Sequence, residues 1–146
     1  DRGVRKQQSL IKSVTHADGT VETPQEGSST RVIDESVADQ VKNAMESVAE
    51  GYSKVVNVKG YRIAAKTGTA EVAGSDGRLT SIVADFAGMI PADNPRFAIT
   101  VIMKDPQGTY GGMTAGPVFA KIGEFLMQKY NVPTSSPRND AIAVDW

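Results

Sequence analysis

At 146 residues, 40% hydrophobic and 23% charged with a net charge of −1, the chain is long enough for one globular domain, and its charge makes no case for nucleic acid or an anionic membrane surface. Cysteine is absent and His16 is the single histidine, which excludes disulfides, thiolate metal sites, a cysteine nucleophile and any multi-histidine metal site, and no metal or cofactor is expected. No apolar run reaches the roughly 18 residues of a membrane span, and neither an initiator methionine nor a signal peptide opens the chain, so its start reads as processed or internal to a longer product.

In chain order, the first expected element is a short hairpin. Leu10 to Thr15 and Thr20 to Glu22 are its strands, and His16-Ala17-Asp18-Gly19 is its turn, with Gly19 free to take positive φ. His16 reads as a turn residue and nothing more. Pro24 to Thr30 is a polar, Gly/Ser-rich loop. Val37, Val41, Ala44, Met45 and Val48 then recur at helical spacing, which predicts a helix over Ser36–Glu50 with those residues as its apolar stripe. Ser36 and Asp39 have the spacing of a capping box, Asp34 and Glu35 favour the same end by charge, and Gly51 is a natural stop.

From Gly60 the period changes to two. Tyr61, Ile63 and Ala65 alternate with Arg62, Ala64 and Lys66. After a turn at Gly74 to Gly77, the stretch from Ile82 to Ile90 is apolar on both faces and predicts a buried strand. Pro91 to Pro95 is a turn, and Phe97, Ile99, Val101 and Met103 continue in a third strand. Three sequential strands with short turns predict an antiparallel meander. Gly108 to Gly112 reads as a flexible loop. Pro117 opens a second helix over Pro117–Lys129, with Val118, Phe119, Ile122, Phe125 and Leu126 as its stripe. Residues 134–146 are polar and read as a mobile tail beyond a domain of residues 1–133. The expected fold class is α+β, an antiparallel sheet flanked by helices.

Lys66-Thr67-Gly68-Thr69 is the run that carries chemistry. Strict alternation sets Thr67 and Thr69 on one face and Lys66 on the other, so the run can converge on one ligand only from a twisted edge strand beside a cleft. Taken alone, the four residues fit equally well a solvated lysine among ordinary β-forming threonines. Lys-Thr-Gly is also the third motif of penicillin-binding proteins and serine β-lactamases, beside Ser-x-x-Lys and Ser-Asp-Asn. The longer segment from Gly60 to Glu71, GYRIAAKTGTAE, resembles the class B penicillin-binding proteins, especially the cell-division transpeptidases. Phe86 to Pro95 is similar to that family's next strand and turn. Tyr110-Gly111-Gly112 followed by Ala115-Gly116-Pro117-Val118-Phe119 is similar to its Gly-Gly loop and C-terminal helix. Ala65 stands where the family usually has glycine, and Gly116 where it usually has alanine. The likeness is clear after Gly60 and thin before it.

The resemblance implies the C-terminal part of a penicillin-binding, serine β-lactamase-like fold. It implies part of a D,D-transpeptidase that cross-links peptidoglycan stem peptides through a serine acyl-enzyme in septal wall synthesis and is acylated by β-lactams. In that chemistry Lys66 places positive charge near the substrate's terminal carboxylate and the developing oxyanion. The Thr67 and Thr69 hydroxyls hydrogen-bond the carboxylate. Gly68 lets the substrate lie flat against the strand, and the Thr69 backbone N–H is one of two oxyanion-hole donors. Tyr110 and Gly111 wall the cleft; from the residues alone Tyr110 fits equally well as a loop aromatic packed on the surface. Lys66 and Thr69 are thus the expected catalytic residues, with Thr67, Gly68, Thr69, Tyr110 and Gly111 binding substrate.

Ser9-Leu10-Ile11-Lys12 fits Ser-x-x-Lys but opens a strand-like run instead of a helix, and it lies much closer to Lys66 than the family's spacing allows. No Ser-x-Asn occurs. The nucleophile is therefore expected upstream, on polypeptide outside this chain, and the fragment alone is expected to be inactive. The expected setting is the extracytoplasmic face of a bacterial membrane, anchored by an upstream segment, with division-machinery membrane proteins as partners and no nucleic acid. Two other readings share the motif: a β-lactam-binding sensor domain, and a non-catalytic interaction domain in which the motif is vestigial.

Overall fold

The computed structural model describes residues 1–25, 27–106 and 110–142. Two compact units, Asp1–Gln40 and Val41–Trp146, divide the chain inside a helix.

The first unit holds four short strands in two antiparallel pairs: β1 (Val4–Lys6) with β4 (Ser29–Arg31), and β2 (Val14–Thr15) with β3 (Val21–Glu22). The β2–β3 hairpin forms at the predicted turn, but its strands are shorter than expected: Leu10 to Ser13 and Thr20 lie outside them. Gly19 takes φ +84°, and the His16 and Gly19 N–H groups close the turn on Thr20 O and His16 O. The Thr20 hydroxyl and N–H both donate to the Asp18 carboxylate, which holds its carboxyl below the ordinary carboxylate value. The β1–β4 pair has no counterpart in the sequence reading. Its residues are joined by backbone pairing and nearly all are exposed, so no apolar alternation announces them. Ser29 and Thr30 of the expected loop belong to β4, and Glu26 lies outside the described residues.

Helix α1 (Glu35–Gly51) corrects the sequence reading in two respects. Ser36 lies within the first turn instead of ahead of it, so the capping box does not form. The Asp34 carbonyl accepts the Ala38 N–H at 3.0 Å, and the Asp39 carboxylate accepts hydrogen bonds from Arg2. The expected apolar stripe is not the buried one either: Val37 and Val41 are 45% and 51% exposed, whereas Glu46, Ser47 and Ala49 are buried.

The second unit carries the predicted meander. Strands β5 (Ala64–Ala73), β6 (Leu79–Ile90) and β7 (Phe97–Lys104) pair antiparallel in the order β5-β6-β7, which leaves β5 at an edge. The β5–β6 turn runs over residues 74–78, closed by the Gly74 N–H on Arg78 O at 2.7 Å. On central strand β6, Ala84, Phe86 and Ile90 are fully buried, but Val83, Asp85, Ala87 and Met89 on the opposite face are only half-buried. Gly111–Thr114 forms a single helical turn, α2, instead of continuing a loop, and Gly108 lies outside the described residues.

Helix α3 (Gly116–Lys129) has the predicted span with a different inward face. Gly116, Phe119, Ala120, Gly123 and Met127 are buried, whereas Phe125 is 58% exposed. The glycines explain the rotation. A Cβ at Gly123 would already press on Ile90 and Val58, and one at Gly116 would sit between Val56 and Phe86, so the helix backbone packs directly on the sheet. Phe86 meets Phe119 edge-on at a centroid distance of 5.0 Å and Tyr52 at 6.3 Å, which forms the centre of the core.

Residues 133–142 have no helix or strand, yet the polarity that suggested a loose tail is used in specific bonds. The Ser135 hydroxyl and Ser136 N–H donate to Asp93, and the Ser135 N–H to Gly60 O. The Arg138 guanidinium, whose side chain is 6% exposed, donates to Asn43 and Ser47 and pairs with Glu50 at 2.8 Å. Glu46, at 3% side-chain exposure, receives a two-pronged bond from Arg62 at 2.8 and 3.0 Å. These bonds are the main cause of the raised Arg62 value, against an opposing burial effect.

Candidate active site

Lys66, Thr67, Gly68 and Thr69 lie in succession on edge strand β5, opposite Ala87, Phe86, Asp85 and Ala84 of β6. Alternation places Thr67 and Thr69 on the face of the core residues Phe86 and Ala84, and Lys66 and Gly68 on the face of Asp85. The lysine does not stay on its own face. Its ammonium donates to Thr67 O at 2.9 Å and to Thr67 Oγ1 at 3.2 Å, so the side chain crosses the strand's uncovered side. β5 is thus the edge strand that the sequence pattern required.

The Gly-Gly turn comes to the same strand. The Gly111 N–H donates to Thr69 Oγ1 at 3.2 Å, and Gly111 packs so closely on the β5–β6 backbone that a Cβ would overlap Gly68 O and Asp85 O. A Cβ at Gly112 would run into the Tyr52 ring, 2.7 Å from Cδ1. Tyr110 precedes the turn in extended conformation (φ −119°, ψ 137°). Its carbonyl accepts from the Met113 and Thr114 N–H groups, and its side chain is 67% exposed.

These bonds fix what the hydroxyls can do. A threonine hydroxyl has one donor hydrogen and two acceptor lone pairs. Thr69 Oγ1 is already accepting from Gly111, and Thr67 Oγ1 from Lys66, and each hydroxyl still has its hydrogen to donate. With the Lys66 ammonium, the uncovered edge of β5 presents a set of donors that suits an anion, and a carboxylate in particular.

Gly68 has a use that spacing alone does not show. A Cβ there would lie 2.6 Å from Asp85 Oδ1 and 2.7 Å from Asp85 Cγ, so the space beside the glycine is filled by the Asp85 carboxylate. Sequence reasoning passed over Asp85. Its position opposite Gly68 follows only from the register of the hairpin. Ser9 of the Ser-x-x-Lys run lies outside helix and strand, exposed, its hydroxyl donating to Ile11 O at 2.9 Å. No group of three or more His, Asp or Glu side chains among the described residues is arranged to hold a metal.

The penicillin binding protein transpeptidase domain model matches residues 1–124. The peptidoglycan D,D-transpeptidase FtsI of Escherichia coli K12 is 44% identical over 107 residues, covering 70% of this chain and 18% of that protein. A peptidoglycan synthetase crystal structure from Bifidobacterium adolescentis superposes with a TM-score of 0.88 at 66% identity, over 99% of this chain and 27% of that one. Penicillin binding protein 3 of Mycobacterium tuberculosis, in complex with ampicillin, superposes with a TM-score of 0.81 at 30% identity, over 97% of this chain and 34% of that one. The chain thus spans under a third of the length of FtsI and of the Bifidobacterium protein, and about a third of the Mycobacterium one.

Proposed function

This chain belongs to the penicillin-binding protein transpeptidase domain family, and from that premise we propose that it forms one wall of the active site of a peptidoglycan D,D-transpeptidase acting in septal wall synthesis. The observation that carries this reading is the set of polar groups on edge strand β5, where the Lys66 ammonium bonds the Thr67 hydroxyl oxygen and the Gly111 N–H bonds that of Thr69, leaving both hydroxyl hydrogens to donate.

In the proposed reaction a serine from polypeptide outside this chain attacks the carbonyl of the penultimate D-alanine. The hydroxyl proton passes to the nitrogen of the terminal D-alanine, an ester forms, and the terminal D-alanine departs as a free amine as the peptide bond breaks. The amine of a second stem peptide then attacks the ester, which forms the cross-link and restores the serine. Lys66, Thr67 and Thr69 hold the terminal carboxylate. The Thr69 backbone N–H points at the oxyanion, a donor whose loss typically costs about 3 kcal/mol of transition-state stabilisation. Tyr110 flanks the site as an exposed aromatic. A β-lactam places a carboxylate and a reactive carbonyl in the same relation and acylates the same serine. The working enzyme is held on the outer face of the cell membrane by a segment outside this chain, beside membrane proteins of the division machinery. No helix among the described residues is long and apolar enough to cross a membrane.

The test is the second-order acylation rate of the full-length protein by penicillin. Lys66→Ala should slow it about ten- to a hundredfold, the effect of removing a hydrogen bond to a charged group worth about 1.5–3 kcal/mol. Thr67→Val and Thr69→Val should each cost less. A Lys66→Ala protein that acylates as fast as the parent would show that the motif is structural.

A further inference from the structure

We infer that Tyr52 is a positioning residue for acyl transfer: its ring is the back wall of a slot that presses the Gly111-Gly112 turn against β5 and keeps the Gly111 N–H on the Thr69 hydroxyl. The inference rests on the reading of β5 as a wall of the active site. Helix α2 is a single turn of four residues, and a helix that short is not stable by itself. Its place must come from what it touches. On one side it meets the paired backbones of β5 and β6, where a Cβ at Gly111 would overlap Gly68 O and Asp85 O. On another it meets the Tyr52 ring, where a Cβ at Gly112 would stand 2.7 Å from Cδ1 and 2.8 Å from Cζ. Two consecutive glycines therefore rest their bare backbone on a sheet and on a ring.

The ring is held where it is. Phe86, fully buried on central strand β6, meets it edge-on at a centroid distance of 6.3 Å and an interplanar angle of 88°. The backbone that carries it is tied into the bend after α1: the Tyr52 N–H donates to Ala49 O at 3.0 Å, and Tyr52 O accepts the Val55 and Val56 N–H groups at 2.9 and 2.8 Å. Without the ring, the turn can back away from β5. The bond it would break is the one from the Gly111 N–H to Thr69 Oγ1, which at 3.2 Å has little length to spare; a retreat of roughly half an ångström puts it beyond hydrogen-bond range. The Thr69 hydroxyl then loses the donor that orients it. Tyr52 touches no reacting atom and acts through Thr69 alone.

The experiment measures the second-order acylation rate of the full-length protein by benzylpenicillin, with a thermal melt of each variant. Tyr52→Ala should slow acylation about fivefold, the rate equivalent of one neutral hydrogen bond. Tyr52→Phe keeps the ring and should stay within about twofold of the parent. The decisive readout is a double-mutant cycle with Thr69→Val. Once residue 69 is valine, no hydroxyl is left for the turn to orient, so adding Tyr52→Ala should slow acylation no further, whereas a merely structural Tyr52 would multiply the two losses. If Tyr52→Ala does not fold, Tyr52→Leu, which keeps apolar bulk but not the flat ring, enters the same cycle with the same two outcomes. A folded Tyr52 variant without the ring that acylates like the parent, a Tyr52→Phe as slow as it, or losses that multiply with Thr69→Val would show the assignment of Tyr52 to be wrong while the transpeptidase reading stands. A parent that benzylpenicillin does not acylate overturns both.

Discussion

Replacing Gly111 with alanine should pull the α2 turn away from the strand that carries Lys66 to Thr69. A Cβ at Gly111 would overlap Asp85 O and Gly68 O and lie 3.0 Å from Asp85 N, all backbone atoms of two paired strands. None of them can swing aside, so the helical turn must retreat. Forced overpacking of this kind typically costs about 1–3 kcal/mol. The retreat also stretches the 3.2 Å bond from the Gly111 N–H to Thr69 Oγ1, worth about another 1 kcal/mol. The sum, about 2–4 kcal/mol, lowers the melting temperature of the transpeptidase domain. Acylation should slow as well, because Thr69 loses the donor that orients its hydroxyl. Gly68→Ala is the informative contrast, since its Cβ would meet the end of a side chain, the Asp85 carboxylate, which can rotate. Its cost should be smaller and should largely vanish when Asp85→Ala is added. Thermal melts and acylation rates of the full-length variants decide the matter. If Gly111→Ala melts and acylates like the parent, the close packing of α2 on the sheet does not position Thr69.

Glu46→Ala leaves Arg62 and Arg138 without the carboxylate between them, and removing one partner of a buried ion pair costs about 3 kcal/mol or more. Urea titrations should show this, while Arg78→Ala, at the exposed 3.9 Å pair with Asp76, should stay within about 0.5 kcal/mol of the parent. Asp93 bears on pH dependence. Burial works against its ionisation, but the bonds from Ser135 and Ser136 and the Arg62 charge outweigh that, and its carboxyl lies below the ordinary value of 3.8. Its contribution is therefore complete above that value and is lost as pH falls through the lower folded one. Asp93→Asn should be less stable than the parent near neutrality, and the difference should close as pH drops below the ordinary value. A difference that is unchanged in acid would show that the neutral side chain serves the bonds from Ser135 and Ser136 equally well.

The sequence made the order of elements in the second unit legible because period changes and turn residues are local signals. Strands β6 and β7 and helices α1 and α3 lie where periodicity put them, whereas β5 starts at Ala64 and not at the Gly60–Tyr61 where the period changes. The faces of the helices were not legible. Counting large apolar residues selected Val37 and Val41 on α1 and Phe125 on α3, which are exposed. The faces turned inward instead carry Gly116, Ala120 and Gly123, whose small size permits contact, and Glu46, which is neutralised by Arg62. Size and pairing at a contact are tertiary facts that a hydropathy pattern does not encode. The motif itself was readable at Lys66 to Thr69. Its support from Gly111 required a tertiary hydrogen bond, and the place of the Asp85 carboxylate beside Gly68 required the β5–β6 register.

The most direct test of the central claim is intact-mass spectrometry with peptide mapping after incubation with penicillin, on the full-length protein and on the 146-residue chain alone. One penicilloyl adduct should form on the full-length protein, on a serine outside residues 1–146, and none on the isolated chain. A stable adduct within this chain, on Ser9 above all, or no adduct on the full-length protein, would contradict the assignment of this chain as the Lys-Thr-Gly-Thr wall of a transpeptidase whose nucleophile lies elsewhere.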